Sequence, residues 1–114
     1  MRVILSLEGK ELAEVVFVRD YVQLGFDGPG LTLLTAPTVK TKNATARFPE
    51  PGSRDLLCSL IGVKVARVLN DDPLVLRLVF ENESALSIPL DDESRVGPEL
   101  MHFHPEDGGP TEIW

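Results

Sequence analysis

His102 and His104 are the residues whose spacing most directly offers chemistry. Two histidines separated by one residue fall on the same face of a β-strand, about 7 Å apart. At that distance two imidazoles can meet one transition-metal ion, with Glu99 or Glu106 as an oxygen ligand. The chain holds only these two histidines. An exposed strand beside acidic side chains, favouring charged imidazoles, accounts for them without a metal. Two carboxylate runs, Asp71-Asp72 and Asp91-Asp92-Glu93, are the other chemical candidates. General acid–base work needs carboxylates in unlike environments, one of them partly desolvated. Both runs sit in polar, turn-like sequence, so solvated turns are the expectation.

No other constellation for catalysis is present. Asp27-Gly28-Pro29-Gly30 lacks the spacing and the following Lys-Ser/Thr of a phosphate-binding loop. There is no G-x-S-x-G elbow, and no pattern orders Ser, His and Asp into a triad. Cys58 is the single thiol, so it forms no internal disulfide and gives no sign of an oxidising compartment. Its neighbours Leu56, Leu57, Leu60 and Ile61 predict a buried, unreactive side chain.

The charge is uneven. The net charge of the 114 residues is −7. Residues 1–70 carry nine basic and seven acidic side chains, whereas residues 71–114 carry two basic and eleven acidic ones. Such a balance argues against a nucleic-acid partner, which needs a Lys/Arg footprint, and fits a basic protein partner. Lys40, Lys42 and Arg47, with Phe48 beside them, make one small basic patch that reads as a solvated loop. No stretch approaches the ~20 apolar residues of a membrane span, and no signal-peptide core is present. The expectation is a cytoplasmic protein without membrane or nucleic-acid contact.

The elements that must position these groups repeat. Residues 9–16 align with 62–69, matching Gly9 with Gly62, Leu12 with Val65, Ala13 with Ala66 and Val15 with Val68. With one residue inserted, Val22, Leu24 and Phe26 fall on Leu76, Leu78 and Phe80. With one more, Leu31 and Leu33 fall on Leu86 and Ile88. Within each block apolar residues alternate, the mark of a half-buried strand, so Leu74, Leu76, Leu78 and Phe80 are expected on one face. Turn chemistry lies between the blocks: Arg19-Asp20, residues 27–30, 70–73 and 81–84.

Residues 2–7 read as an opening strand hairpinned to 12–17, and residues 39–42 as a short edge strand. Residues 54–61, after the N-cap type Ser53, read as one short helix stopped by Gly62. Residues 100–104 read as a closing strand, and 106–110 turn the chain back toward Ile113 and Trp114. Trp114 either packs on the body or anchors an interface. The expected fold is all-β: a small barrel or two-layer sandwich of six to eight strands from two three-strand repeats. One domain spans 1–114: repeat one at 9–35, linker and helix at 36–61, repeat two at 62–90, acidic segment at 91–114. An unclosed sheet would leave edges suited to a homodimer.

The pattern of Gly62, Val65, Val68, Leu76, Leu78, Phe80, Leu86, Ile88 and Pro89, with its weaker echo from Gly9 to Leu33, resembles small uncharacterised bacterial β proteins of duplicated design. Some of those look like immunity proteins encoded beside toxins. Every matching position is a packing or turn residue, so the resemblance implies a fold and assigns no site. A second, local resemblance fails: Gly97, His102 and His104 echo the first cupin motif, but Glu106 follows too soon and the family's third histidine has no counterpart. The functional expectation is a non-catalytic interaction module of the immunity type, without cofactor. It would use Asp91, Asp92, Glu93, Glu99 and Trp114 against a basic partner. The alternative is a small-molecule or metal-binding barrel centred on His102 and His104.

Overall fold

A computed structural model describes residues 3–114. Among the described residues there are ten strands and one α-helix. Five strands, β1 (Leu12–Val18), β2 (Tyr21–Phe26), β3 (Gly30–Leu33), β9 (Met101–His104) and β10 (Glu112–Ile113), form one antiparallel sheet in that order. The second sheet runs β5 (Thr45–Arg47), β4 (Thr38–Lys40), β8 (Ala85–Pro89), β7 (Val75–Phe80) and β6 (Val65–Leu69). Neither sheet closes into a barrel; the two pack as a sandwich. The expected all-β fold is present, with four more strands than the two three-strand blocks supply.

Each three-strand block is a meander, β1-β2-β3 and β6-β7-β8, and the two share their register. Leu12 pairs with Phe26, Val15 with Leu24 and Leu24 with Leu31. At matching places Val65 pairs with Phe80, Val68 with Leu78 and Leu78 with Leu86. The register slips between Leu12 and Glu14, and again between Val65 and Arg67. The residue skipped is alanine both times, Ala13 and Ala66. An inserted residue of this kind bends the strand and raises its twist.

The strands after each meander change sheets. β4 leaves β3 and pairs with β8, while β9 leaves β8 and pairs with β3. Each half of the chain therefore completes the other half's sheet. The linker and the acidic segment, which share no sequence, occupy equivalent places. The expected edge strand at 39–42 is shorter and interior, because β5 covers it and takes the edge.

The inward residues of both sheets make one core. It includes Val22, Leu24, Phe26, Leu31, Met101 and Phe103 from the first sheet, and Val39, Leu76, Leu78, Phe80, Leu86 and Ile88 from the second. Alternation along β7 holds from Leu76 onward. Leu74 departs from expectation: it lies in the preceding turn and is 58% exposed.

Residues 3–7 form a 3-10 helix rather than the expected strand; Arg2 lies outside the described residues. Ile4 and Leu7, three apart, both enter the core, a spacing that suits a helical turn and not a strand. The helix α1 (Ser53–Cys58) is observed as expected but starts at Gly52, with no side-chain cap. Ser53 is buried and its hydroxyl has no partner among the described residues. Leu57 and Leu60 face inward, leaving Cys58 exposed. The expected buried thiol is thus corrected: in an apolar run read as helix, only one face reaches the core. No helix of the described residues is long and apolar enough to cross a membrane.

Candidate functional site

The turn between β1 and β2 is tight, with Arg19 at a φ of 48°. It brings Asp20 and Tyr21 to one end of the first sheet. Beside them β3 runs out at Leu34, whose N–H donates to the carbonyl of Leu100 at 3.0 Å. That bond zips the segment before β9 onto the sheet, laying Val96, Gly97, Pro98 and Glu99 over Tyr21 and Leu34. The result is a surface cleft of about 300 Å³ lined by Asp20, Tyr21, Leu34, Val96, Gly97, Pro98 and Glu99.

The wall opposite Tyr21 is held by local hydrogen bonds. Residues 92–94 form a 3-10 turn, and the Ser94 hydroxyl donates to Asp91 Oδ1 at 2.8 Å. That bond keeps the Asp91 carboxyl below its ordinary range, helped last by the charge of Arg47. Arg95 donates to Asp92 Oδ1 at 3.1 Å and to the Pro98 carbonyl. These bonds leave Val96 projecting, 80% exposed. Glu93 is exposed and Asp91 half-buried; the Asp92 side chain is 92% exposed.

The cleft joins an aromatic and aliphatic wall to two carboxylates, Asp20 and Glu99, and no cation among the described residues lines it. An amphipathic cation fits this chemistry. The methylene stem of an arginine or lysine would lie on Leu34, Val96 and Pro98. Its charge would meet the carboxylates and the face of Tyr21.

The histidines sit at the other side of Glu99. Glu99 Oε2 is 3.2 Å from His102 Nε2, at ion-pair distance but off the line of a hydrogen bond. His102 and His104 do share one face, with ring centroids 6.2 Å apart and edge to face. His104 is engaged at both ring nitrogens, by the hydroxyls of Thr32 at 3.1 Å and Thr111 at 3.4 Å. Glu106 does not join them, since it pairs with Lys10 at 2.8 Å and raises the lysine's pKa. Among the described residues no group of three or more His, Cys, Asp or Glu side chains could hold a metal ion.

Next to His104 two glycines stand in the outer face of the sheet. Gly25 and Gly30 pair across β2 and β3. The stem of Glu14 lies over Gly25, where a Cβ would come within 2.5 Å of Glu14 Cγ. Trp114 packs against the core, and its carbonyl accepts from the N–H of Leu100 at 2.7 Å. It thereby ties Trp114 to the segment just after Glu99, at the start of β9.

Of the residues singled out in the sequence, the fold brings Glu99 and His102 together, while His104 lies farther along β9, opposite Gly30. The fold places Asp91, Asp92 and Glu93 on the adjoining turn. Asp71 and Asp72 lie in the exposed turn before β7, where Asp72 accepts from the N–H of Leu74 at 2.9 Å; the Leu74 carbonyl in turn accepts from the N–H of Leu90 at 2.8 Å. Asp20, Tyr21, Leu34 and Val96 were not foreseen; the one available signal was Val96, a lone aliphatic in an acidic run. No family model, no curated protein and no solved structure matches this chain.

Proposed function

We propose that the protein is a non-catalytic binding module that receives a basic side chain of a protein partner in the cleft between Tyr21 and residues 96–99. One observation carries this reading: an apolar wall with two carboxylates, Asp20 and Glu99, and no lining cation among the described residues. The neighbouring Asp92 and Glu93, exposed on their turn, add a long-range field that steers a positive surface toward the cleft. The core between the sheets is packed with apolar side chains, which favours recognition at the surface. An immunity-type role, the sequestering of a basic protein, agrees with this chemistry, as does a cytoplasmic setting. The matching registers of the two meanders further favour an origin by duplication.

The test is a pull-down of basic proteins by the full chain at low and high salt, in parallel with Asp20→Asn/Glu99→Gln. Salt-sensitive capture by the wild type, reduced about tenfold in the variant (about 1.4 kcal/mol), is expected. Equal capture by both proteins would sink the proposal.

A further inference from the structure

The outer face of the second sheet carries a charge opposite to that of the protein as a whole. Register places Arg77, Ser87, Thr38 and Arg47 in one row across β7, β8, β4 and β5. The adjacent row runs Arg67, Val79, Ala85 and Lys40 across β6, β7, β8 and β4. Arg67, Arg77, Lys40 and Arg47 are all exposed, and their strand neighbours Leu76, Leu78, Val39 and Leu86 are buried. The four cations therefore project from one face. Arg67 and Arg77 are diagonal neighbours on adjacent strands, as are Lys40 and Arg47, each pair about 7–8 Å apart. Some 14 Å of sheet, three strand spacings, separates the two pairs. Its floor is of short side chains, Ala85, Ser87, Thr38 and Val79.

Nothing in the folding of the chain calls for these cations. Among the described residues none of the four lies within ion-pair distance of a carboxylate. Of the four, Arg47 acts on Asp91, as the weakest cause of that residue's shift. At the matching register positions of the first sheet stand Glu14 for Arg67, Gln23 for Arg77, His104 for Lys40 and Ile113 for Arg47. The same backbone is thus built without cations there. Like charges set diagonally across a sheet do not stabilise it.

We infer that this face, framed by Lys40, Arg47, Arg67 and Arg77, docks an acidic peptide segment of a partner protein across β7, β8, β4 and β5. Guanidinium forks on both sides match carboxylates two at a time, and Ser87 and Thr38 between them offer hydroxyl donors. A carboxylate peptide fits better than a nucleic acid for two reasons. The four-residue-wide rows hold no aromatic side chain on which a base could stack, since Phe48 is buried, stacked on Phe17 at 5.9 Å. A long polyanion would also extend past the patch onto a surface whose net charge is −7.

Fluorescence anisotropy with a short labelled poly-glutamate peptide tests the inference, using the full chain throughout. Arg67→Gln/Arg77→Gln and Lys40→Gln/Arg47→Gln are each expected to weaken binding about tenfold or more. Lys42→Gln, which removes the cation already paired with Glu83 at 3.1 Å, should leave it unchanged. Added salt should weaken wild-type binding. Thermal melts check folding, and if the glutamine pair melts early, Arg67→Lys/Arg77→Lys, which keeps the charge and loses the fork, should bind more weakly than the wild type and more tightly than the glutamine pair. Poly-glutamate binding that ignores both double variants would overturn the inference. So would tighter binding of an oligothymidylate of equal charge through the same four residues. Self-association of the wild type that the same variants abolish would also overturn it, by making the occupant a second copy of the chain.

Discussion

Glu11 and Lys64 face each other in an antiparallel bridge, and each is the other's counterpart in the alignment of the two halves. A residue that pairs with its own counterpart lies on the axis relating the two copies. The hydrogen bonds around it are reciprocal. Gly9 N–H donates to Val65 O at 2.7 Å and Gly62 N–H to Leu12 O at 2.8 Å. Leu12 N–H donates to Val63 O at 3.0 Å and Val65 N–H to Lys10 O at 2.9 Å. The two sheets are joined here by backbone alone, and farther out by the exchanged strands β4 and β9.

Equivalent core positions should cost equally. Phe26 and Phe80 are both buried and both pair with the first residue of the neighbouring strand, Leu12 and Val65. Replacing either by alanine is expected to cost about 3–5 kcal/mol, a large share of a small domain's stability. Urea unfolding of the two variants measures this; costs that differ by more than about 2 kcal/mol would contradict the equivalence.

Gly62 ends the turn after α1 with φ of 90°, and no atom lies within 4 Å of where its Cβ would be. Gly62→Ala therefore meets backbone strain without a clash. About 1–2 kcal/mol of destabilisation is expected, with asparagine better tolerated than alanine. Thermal unfolding of both variants decides it, and an alanine variant as stable as wild type would be inconsistent with the left-handed turn.

Cys58 is exposed on α1, so an aromatic disulfide reagent should modify it in the folded protein, without denaturant. A thiol that reacts only after unfolding would restore the buried reading of the apolar run 56–61.

Asp91 is held below its ordinary pKa of 3.8 mainly by the Ser94 hydroxyl. A carboxyl with a lowered folded pKa contributes stability that is present above 3.8 and lost as pH falls through the folded value. Ser94→Ala should return the Asp91 titration toward 3.8, as followed by carbon NMR of the carboxyl. An unmoved titration would assign the shift elsewhere.

The meanders were legible because their signal is local. Alternating Leu and Phe at 22–26 and 76–80, with turn residues between, define strands without tertiary help. The exchange of β4 and β9 was not legible, since pairing between distant strands leaves no trace in a three-residue strand such as Thr38–Lys40. The opening 3-10 helix differs from the expected strand because residues 2–7 mix apolar and polar side chains up to the Glu8-Gly9 turn, a pattern a short strand and a 3-10 turn share. The match of Ile4 and Leu7 to Leu57 and Leu60, ahead of each repeat's glycine, was the overlooked signal. Of the cleft, Glu99 stood out among the carboxylates. Asp20 and Tyr21 did not, because their proximity to Glu99 depends on the contact of β3 with the segment before β9. The basic face hid likewise: Lys40 and Arg47 were visible as a patch, but Arg67 and Arg77 join them only through the sheet.

The most direct test of the binding reading is an NMR titration of the isotope-labelled chain with a short arginine-containing peptide. Amide shifts are expected to concentrate at Asp20, Tyr21, Leu34 and residues 96–99, and to vanish in Asp20→Asn/Glu99→Gln. Shifts scattered over other carboxylates such as Asp71 and Asp72, or shifts at the cleft that survive the double substitution, would contradict it.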